Sequence, residues 1–326
     1  MALSFPDLDL RRYETERAVA VGVSGGPDSM ALAYLLRGWA AARGIALHIL
    51  TVDHGLRAES ADEAAMVAAY VAGWPNTTHH ILRWEGDKPD ARVAETARQA
   101  RYDLIGAYCR AQAIRDVFIA HHRDDQAETF LFRLAKGSGL DGLAAMQTEQ
   151  ARGGITLVRP LLAIAKSELT DLCRAENIPF AQDPTNQDAS YARPRLRAAR
   201  AALEEEGLSA ERLAVTARRM ARARAALESL ARDAYALCLF AEQADAVALR
   251  YDALRARPEE ITLRVLLNAM AHVSEPSRSY PPRLEKVEEL AARYLAGKLE
   301  KTVTLGGCLF VPDRKNGLLW VRREPV

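Results

Sequence analysis

Cysteine is scarce in this sequence: four residues in 326, at Cys109, Cys173, Cys238 and Cys308, with no CxxC pair among them. That excludes a disulfide framework and the common zinc and iron–sulfur signatures, and it suits a reducing compartment. No apolar run is long enough to cross a membrane, and the opening residues lack the apolar core of a signal peptide. An excess of charge is missing as well. Lys plus Arg total 44 against 43 Asp plus Glu, a formal charge of +1, so a uniformly basic coat is excluded while a local basic face is not. There is no repeat of fixed period and no low-complexity tract. What is present is 49% hydrophobic and 27% charged residues, the balance of a globular chain rather than a disordered or collagenous one. The expectation is a soluble, cytoplasmic protein with room for a catalytic domain and an accessory one.

The first half of the chain alternates between two periods. Short runs rich in Val and Ile at 18–23, 46–52, 78–84 and 117–121 read as strands. Segments with helical spacing at 29–41, 60–73, 92–113 and 124–134 lie between and after them. Each parallel crossover needs a helix to return the chain, so the pattern predicts an α/β, doubly wound parallel sheet with its ligand outside the carboxyl ends of the strands. A glycine-studded stretch, Lys136 to Met146, reads as a mobile loop. A strand at 155–159 and a helix at 166–176 complete the first domain, placed at 1–198. The remainder, 199–326, is expected to be smaller and mostly helical, with helices over 197–236, 259–271 and 282–295. Its tail should form three short strands, turning at Gly306–Gly307 and Asn316–Gly317.

Four motifs carry chemistry. The first is Ser24-Gly25-Gly26-Pro27-Asp28-Ser29, directly after a strand and opening a helix. Two glycines let the backbone turn tightly and bring its N–H groups to an anion, and the helix adds a positive dipole end. Ser24 and Ser29 can donate to phosphate oxygens, whereas Asp28 repels phosphate unless a divalent cation lies between. The motif is neither a Walker A loop nor a GxGxxG fingerprint. An ordinary capped strand–turn–helix corner is the plainer alternative. The second is Asp53-His54-Gly55 at the end of the second strand, where a nucleotide ligand or a simple capped turn would both fit. The third runs from His121 to Thr129, with Asp125 and Glu128 three apart on one helical face and Asp124 beside them. Helix-dipole complementation explains one acid at a helix start, not three behind paired histidines. The fourth holds Arg98 and Arg101, again three apart, which taken alone describe a solvated helix face.

The first motif resembles the PP-loop of the ATP pyrophosphatase superfamily, whose members split ATP between its α and β phosphates. With the other three motifs, the Lys136–Met146 stretch and the polar segment 183–197, the chain closely resembles the tRNA(Ile)-lysidine synthetase family across about its first two hundred residues. The Gly306–Gly307 turn is similar to that family's C-terminal region. One departure is Pro194, standing in Arg193-Pro194-Arg195-Leu196-Arg197 where the family usually has Asn. Proline removes a backbone donor and an amide side chain there.

The resemblance implies a fold, a reaction and partners. The fold is that of PP-loop ATPases. The reaction joins free L-lysine to the 2-carbon of the wobble cytidine in the CAU anticodon of tRNA(Ile), through an adenylated tRNA intermediate. ATP is the activating substrate and Mg²⁺ its companion. Ser24, Gly25, Gly26, Pro27 and Ser29 would hold phosphates, Asp28 a Mg²⁺-linked position, and Asp53, His54 and Lys136 other parts of the nucleotide. Asp125 and Glu128 would hold the amine and accept its proton. Arg98 and Arg101 would bind its carboxylate, and His121 would stabilise charge near the adenylate. Arg193 and Arg197 remain available to the reacting groups and the tRNA. Two arginine clusters, at 193–200 and at Arg212, Arg218, Arg219, Arg222 and Arg224, either grip tRNA phosphates or pair with Glu204–Glu206 and Glu211 on a solvated surface. The oligomeric state stays open, a homodimer included. Rival readings are a PP-loop tRNA thiolase, which the lack of CxxC disfavours, and a non-catalytic ATP-responsive RNA-binding protein. A glutamine-dependent amidotransferase lacks an evident glutaminase nucleophile.

Overall fold

The structure, a computed structural model, describes residues 8–55, 59–86, 93–181, 199–274 and 283–325. The chain divides into two compact units, residues 1–221 and 222–326.

In the first unit the strands are β1 (Ala18–Gly22), β2 (Ala46–Asp53), β3 (Thr77–Arg83), β4 (Asp116–Phe118), β5 (Glu149–Arg152) and β6 (Ile155–Val158). The helices are α1 (Pro27–Ala41), α2 (Glu59–Val71), α3 (Val93–Ala111), α4 (Arg123–Leu134), the single turn α5 (Leu140–Leu143) and α6 (Lys166–Ala175). The six strands form one sheet in the order β3-β2-β1-β4-β6-β5, parallel except for β5. Val19, Ala20 and Val21 of β1 are wholly buried, as a central parallel strand covered on both faces must be. Their alternation divides the core. Val19 and Val21 join Met30, Leu36 and Trp39 of α1 and Leu169 and Leu172 of α6. Ala20 joins Tyr102, Ile105 and Cys109 of α3 on the other face. Strand order reverses between β1 and β4, so a crevice opens where their carboxyl ends feed α1 and α4.

Two features of this unit differ from the sequence expectation. Strand β5 is new: it is a polar edge strand whose Glu-Gln-Ala-Arg sequence carries no alternating pattern. The Lys136–Met146 stretch is also not a loose loop. It contains α5, Arg133 Nη1 donates to the carbonyls of Gly142 and Ala145 at 2.9 Å each, and Gln126 exchanges two 2.8 Å hydrogen bonds with the Met146 backbone.

The two compact units meet at 221/222, inside the helix Ala210–Cys238. The reason is packing: Leu213 and Ala217 of that helix bury against Ala127, Phe130 and Ala145 of the first unit. The expected long helix is broken at Gly207, whose φ of +82° ends the short helix Arg200–Glu205.

The second unit contains a five-stranded antiparallel sheet, β7 (Leu239–Gln243), β8 (Ala246–Arg250), β9 (Val303–Leu305), β10 (Cys308–Asp313) and β11 (Leu318–Arg323), in the order β7-β8-β11-β10-β9. Helices Glu259–Val273 and Leu284–Leu295 share its core, with Val265, Leu266, Leu290 and Tyr294 packed among Val247, Leu249, Phe310 and Val321. The three tail strands are as expected. They complete a sheet begun by the unexpected β7–β8 hairpin. Among the described residues no helix is long and apolar enough to cross a membrane.

Candidate active site

The loop after β1 is held in an open cradle. Gly25 adopts φ +84°, a region that an L side chain resists. Gly26 occupies the N-cap of α1 in an extended conformation, no side chain caps that helix, and Pro27 follows at its first turn. The uncapped helix start is therefore available to an anion. Ser29 Oγ donates to Gly26 O at 3.0 Å, accepts from Ser24 N at 3.1 Å and lies 3.3 Å from Ser24 Oγ, so the two hydroxyls meet at the mouth of the loop.

This cradle forms one wall of a cleft of about 620 Å³ at the carboxyl end of the sheet. The start of α4 lines the same cleft. His122 is its N-cap, with the ring nitrogen Nδ1 accepting from Asp125 N, while Asp125 Oδ2 accepts from His122 N at 3.1 Å. His122 is 3% exposed, and its Nε2 lies 3.5 Å from Asp28 Oδ2 and 3.4 Å from Asp125 Oδ2. Burial works against its protonation, but the bond to Asp28 and the charges of Asp125, Asp28 and Asp124 outweigh burial and raise its pKa above the ordinary histidine value. His122 thus ties the acid of the phosphate loop to the acid of α4. Lys166 Nζ approaches the same Asp28 oxygen at 3.9 Å from the start of α6.

The expected residues divide into those the cleft gathers and those it does not. Ser24, Gly26, Pro27, Asp28 and Ser29 line it, as do Arg98, Arg101, His121, Asp125 and His54. Arg101 Nη2 donates to His54 Nε2 at 3.2 Å. Asp53 is committed elsewhere: its Oδ1 accepts from Gly55 N at 2.9 Å and Ser60 Oγ at 2.6 Å, bonds that lower its pKa and make it the cap of the β2–α2 turn. Asp124 is 7% exposed and accepts from Lys166 N at 2.9 Å, joining α4 to α6. Glu128 is half-buried on α4 and does not line the cleft. Lys136 is exposed, its Nζ 4.3 Å from the Phe132 ring centroid. Arg193 and Arg197 lie outside the described residues, and so do Arg57, Pro194 and Arg195.

Sequence reasoning passed over His122, Lys166 and Arg159. A sequence signal existed for His122 alone, the adjacent His121. Lys166 reaches Asp28 from 138 positions along the chain, so no local spacing announces it. Along the helix Ala210–Cys238, Arg218, Arg219 and Arg222 are exposed without an acidic partner among the described residues, whereas Arg224 pairs with Glu228 at 3.2 Å.

Two tests bear on what the cleft could bind. Asp28 Oδ1 is buried and accepts no hydrogen bond, the condition of a carboxylate oxygen waiting for a cation. Among the described residues no three His, Cys, Asp or Glu side chains are grouped to hold a metal by themselves. One carboxylate beside a phosphate cradle suits Mg²⁺, which keeps several waters and takes its other ligands from phosphates.

Comparison with known proteins places the chain in a family. The PP-loop domain family matches residues 6–202. The chain is 44% identical over 285 residues to a tRNA(Ile)-lysidine synthase of Bradyrhizobium diazoefficiens, covering 84% of this chain and 77% of that one. It is 44% identical over 315 residues to one of Methylobacterium sp. strain 4-46, covering 94% and 89%. A third, from Ruegeria pomeroyi, is 41% identical over 299 residues, with 90% and 69% covered. Among solved structures, the U34-tRNA thiolase NcsA from Methanococcus maripaludis shares the fold, with a TM-score of 0.55 at 18% identity over 65% of this chain and 74% of that one.

Proposed function

We propose that this chain, which belongs to the tRNA(Ile)-lysidine synthase family of PP-loop proteins, joins lysine to a cytidine of tRNA(Ile) at the expense of ATP. The observation that carries the reading is a single cleft in which the phosphate cradle of Ser24–Ser29 faces the acid of Asp125. Activation and amine attack can then share one bound base.

The cytosine 2-oxygen is a poor leaving group. In the first step it attacks the α-phosphorus of ATP, and pyrophosphate departs. Charge grows on that leaving group, and the uncapped start of α1 supplies fixed backbone donors to it, with the Ser24 hydroxyl beside them. Mg²⁺ held by Asp28 would add positive charge to the phosphates. In the second step the ε-amine of lysine attacks the 2-carbon and AMP leaves, carrying the former cytosine oxygen. Asp125 holds the incoming ammonium and accepts a proton from it. Arg98 and Arg101, which line the same cleft, bind the lysine carboxylate. Exposed Arg218, Arg219 and Arg222 contact the phosphates of the tRNA, whose wobble base must leave its stack to enter. This chemistry belongs in the cytoplasm.

A thiolase reading is weaker on this chain's own residues. All four cysteines are buried and unpaired, and burial raises the Cys109 thiol to about 12 and that of Cys173 to about 11. Neither is poised as a thiolate.

The test is incubation with ATP, radiolabelled lysine and total tRNA, followed by digestion to nucleosides. Label in a modified cytidine is expected. Label remaining free, with sulfur incorporated when a donor is supplied, would favour the thiolase.

A further inference from the structure

Arg159, immediately after β6, is 3% exposed, and the charged and titratable groups that act on it among the described residues are the Tyr102 hydroxyl, Arg98 and Arg152, with no carboxylate. Its guanidinium spends its donors on uncharged acceptors instead. Nε lies 3.2 Å from His121 Nδ1, Nη1 2.9 Å from Gln147 O, and Nη2 2.8 Å from Gln150 Oε1. A cation buried without an anion is expensive, and here Arg98 and Arg152 add repulsion. A neutral side chain would fill the space at lower energy, so the charge calls for an explanation beyond packing.

We propose that Arg159 is a positioning residue that fixes His121 as a neutral imidazole with its proton on Nε2, so that His121 serves the reaction as a hydrogen-bond donor and not as a base. Arginine can only donate, so the ring nitrogen facing it must accept. Nδ1 is therefore unprotonated and Nε2 carries the hydrogen. Protonating His121 would set an N–H against an N–H and one cation against another at 3.2 Å. Because His121 lines the same cleft as Ser24, Asp28 and Asp125, a fixed donor there suits charge that develops on the oxygens joining cytosine to phosphate. The two glutamine contacts set the guanidinium plane, just as a partner beyond a catalytic ring fixes its tautomer.

The catalytic part of this proposal rests on the adenylation reading, but its first measurement does not. The full chain, labelled with ¹⁵N-histidine and free of substrates, is examined by long-range ¹H–¹⁵N correlation. His121 is expected as the Nε2–H tautomer, neutral across about pH 6 to 8. In Arg159→Gln or Arg159→Met the ring should populate both tautomers and titrate as an ordinary histidine. The adenylation rate should fall about 10- to 100-fold with the KM for ATP unchanged, and Arg159→Lys should recover part of the loss. An Nδ1–H or imidazolium His121 in the unsubstituted protein overturns the proposal even if no variant folds. A ring unaltered by the substitutions, or an unaltered rate where the tautomer has changed, overturns it too. Failure to form any modified nucleoside would defeat the assigned reaction while leaving the tautomer result to stand alone.

Discussion

Replacing Asp125 with Asn removes the negative charge offered to the amine, and with it one of the charges that favour protonated His122. The amide is the same size, and its oxygen can still accept from His122 N, the 3.1 Å bond that completes the cap of α4. Stability should therefore change by no more than about 1 kcal/mol. Lysine binding loses much more. A carboxylate and an ammonium about 4 Å apart, at the effective dielectric of about 20 found near protein surfaces, attract by about 4 kcal/mol. A charge-assisted hydrogen bond alone accounts for about 1.5–3 kcal/mol. At about 1.36 kcal/mol per decade these bounds predict that the KM for lysine rises roughly 10- to 1000-fold. The assay follows pyrophosphate release and nucleoside labelling as lysine is titrated against fixed ATP and tRNA. Adenylation should persist in Asp125→Asn, because the phosphate cradle is untouched, while transfer needs far more lysine. An unchanged lysine KM and turnover would refute the assignment of the amine to this acid.

Three other perturbations bear on separate parts of the account. Gly25→Ala forces a side chain onto φ +84°, while the added carbon meets only ordinary contacts with Met66 and Glu63 at 3.4–3.5 Å; it should cost about 1–2 kcal/mol, leave the protein folded, and raise the KM for ATP at least tenfold, read by thermal melting beside steady-state kinetics. His122 has a raised folded pKa, so the stability it contributes is complete below the ordinary value of about 6.5 and is lost as pH rises through the folded value. Melting temperatures of the protein and of His122→Gln should accordingly differ most in mild acid and converge as pH rises; a gap that widens with pH would contradict the sign. Reversing Arg218, Arg219 and Arg222 to Glu should weaken tRNA binding without altering the KM for ATP. It should also reduce the slope of log affinity against log salt by about 2 if each residue meets one phosphate.

The parts of this fold that could be read from the chain are those written in local spacing. Strand β1 is a run of buried aliphatics, the loop after it is marked by two glycines, and α4 begins with a cluster of acids. Each of these signals spans fewer than ten residues. What escaped was of two kinds. Strands β5 and β7–β8 carry weak patterns: Glu149–Arg152 is a polar edge, and the β7–β8 hairpin turns through Ala244–Asp245 without glycine, directly after a long helix. The other kind is distance. His122 acquires its role by facing Asp28, Lys166 arrives from α6, and Arg159 meets His121 only because β6 lies beside β4. Asp53 shows the converse, a residue on the strand rim whose Oδ1 caps the turn that follows it.

The central claim is that phosphate and amine are held side by side in one cleft. A crystal structure with a non-hydrolysable ATP analogue, Mg²⁺ and lysine tests it most directly. The account predicts the phosphate chain against the amides that open α1, the metal at Asp28 Oδ1, and the lysine ammonium within hydrogen-bonding distance of Asp125. Phosphates bound elsewhere, or a lysine whose ammonium ignores Asp125, would contradict it.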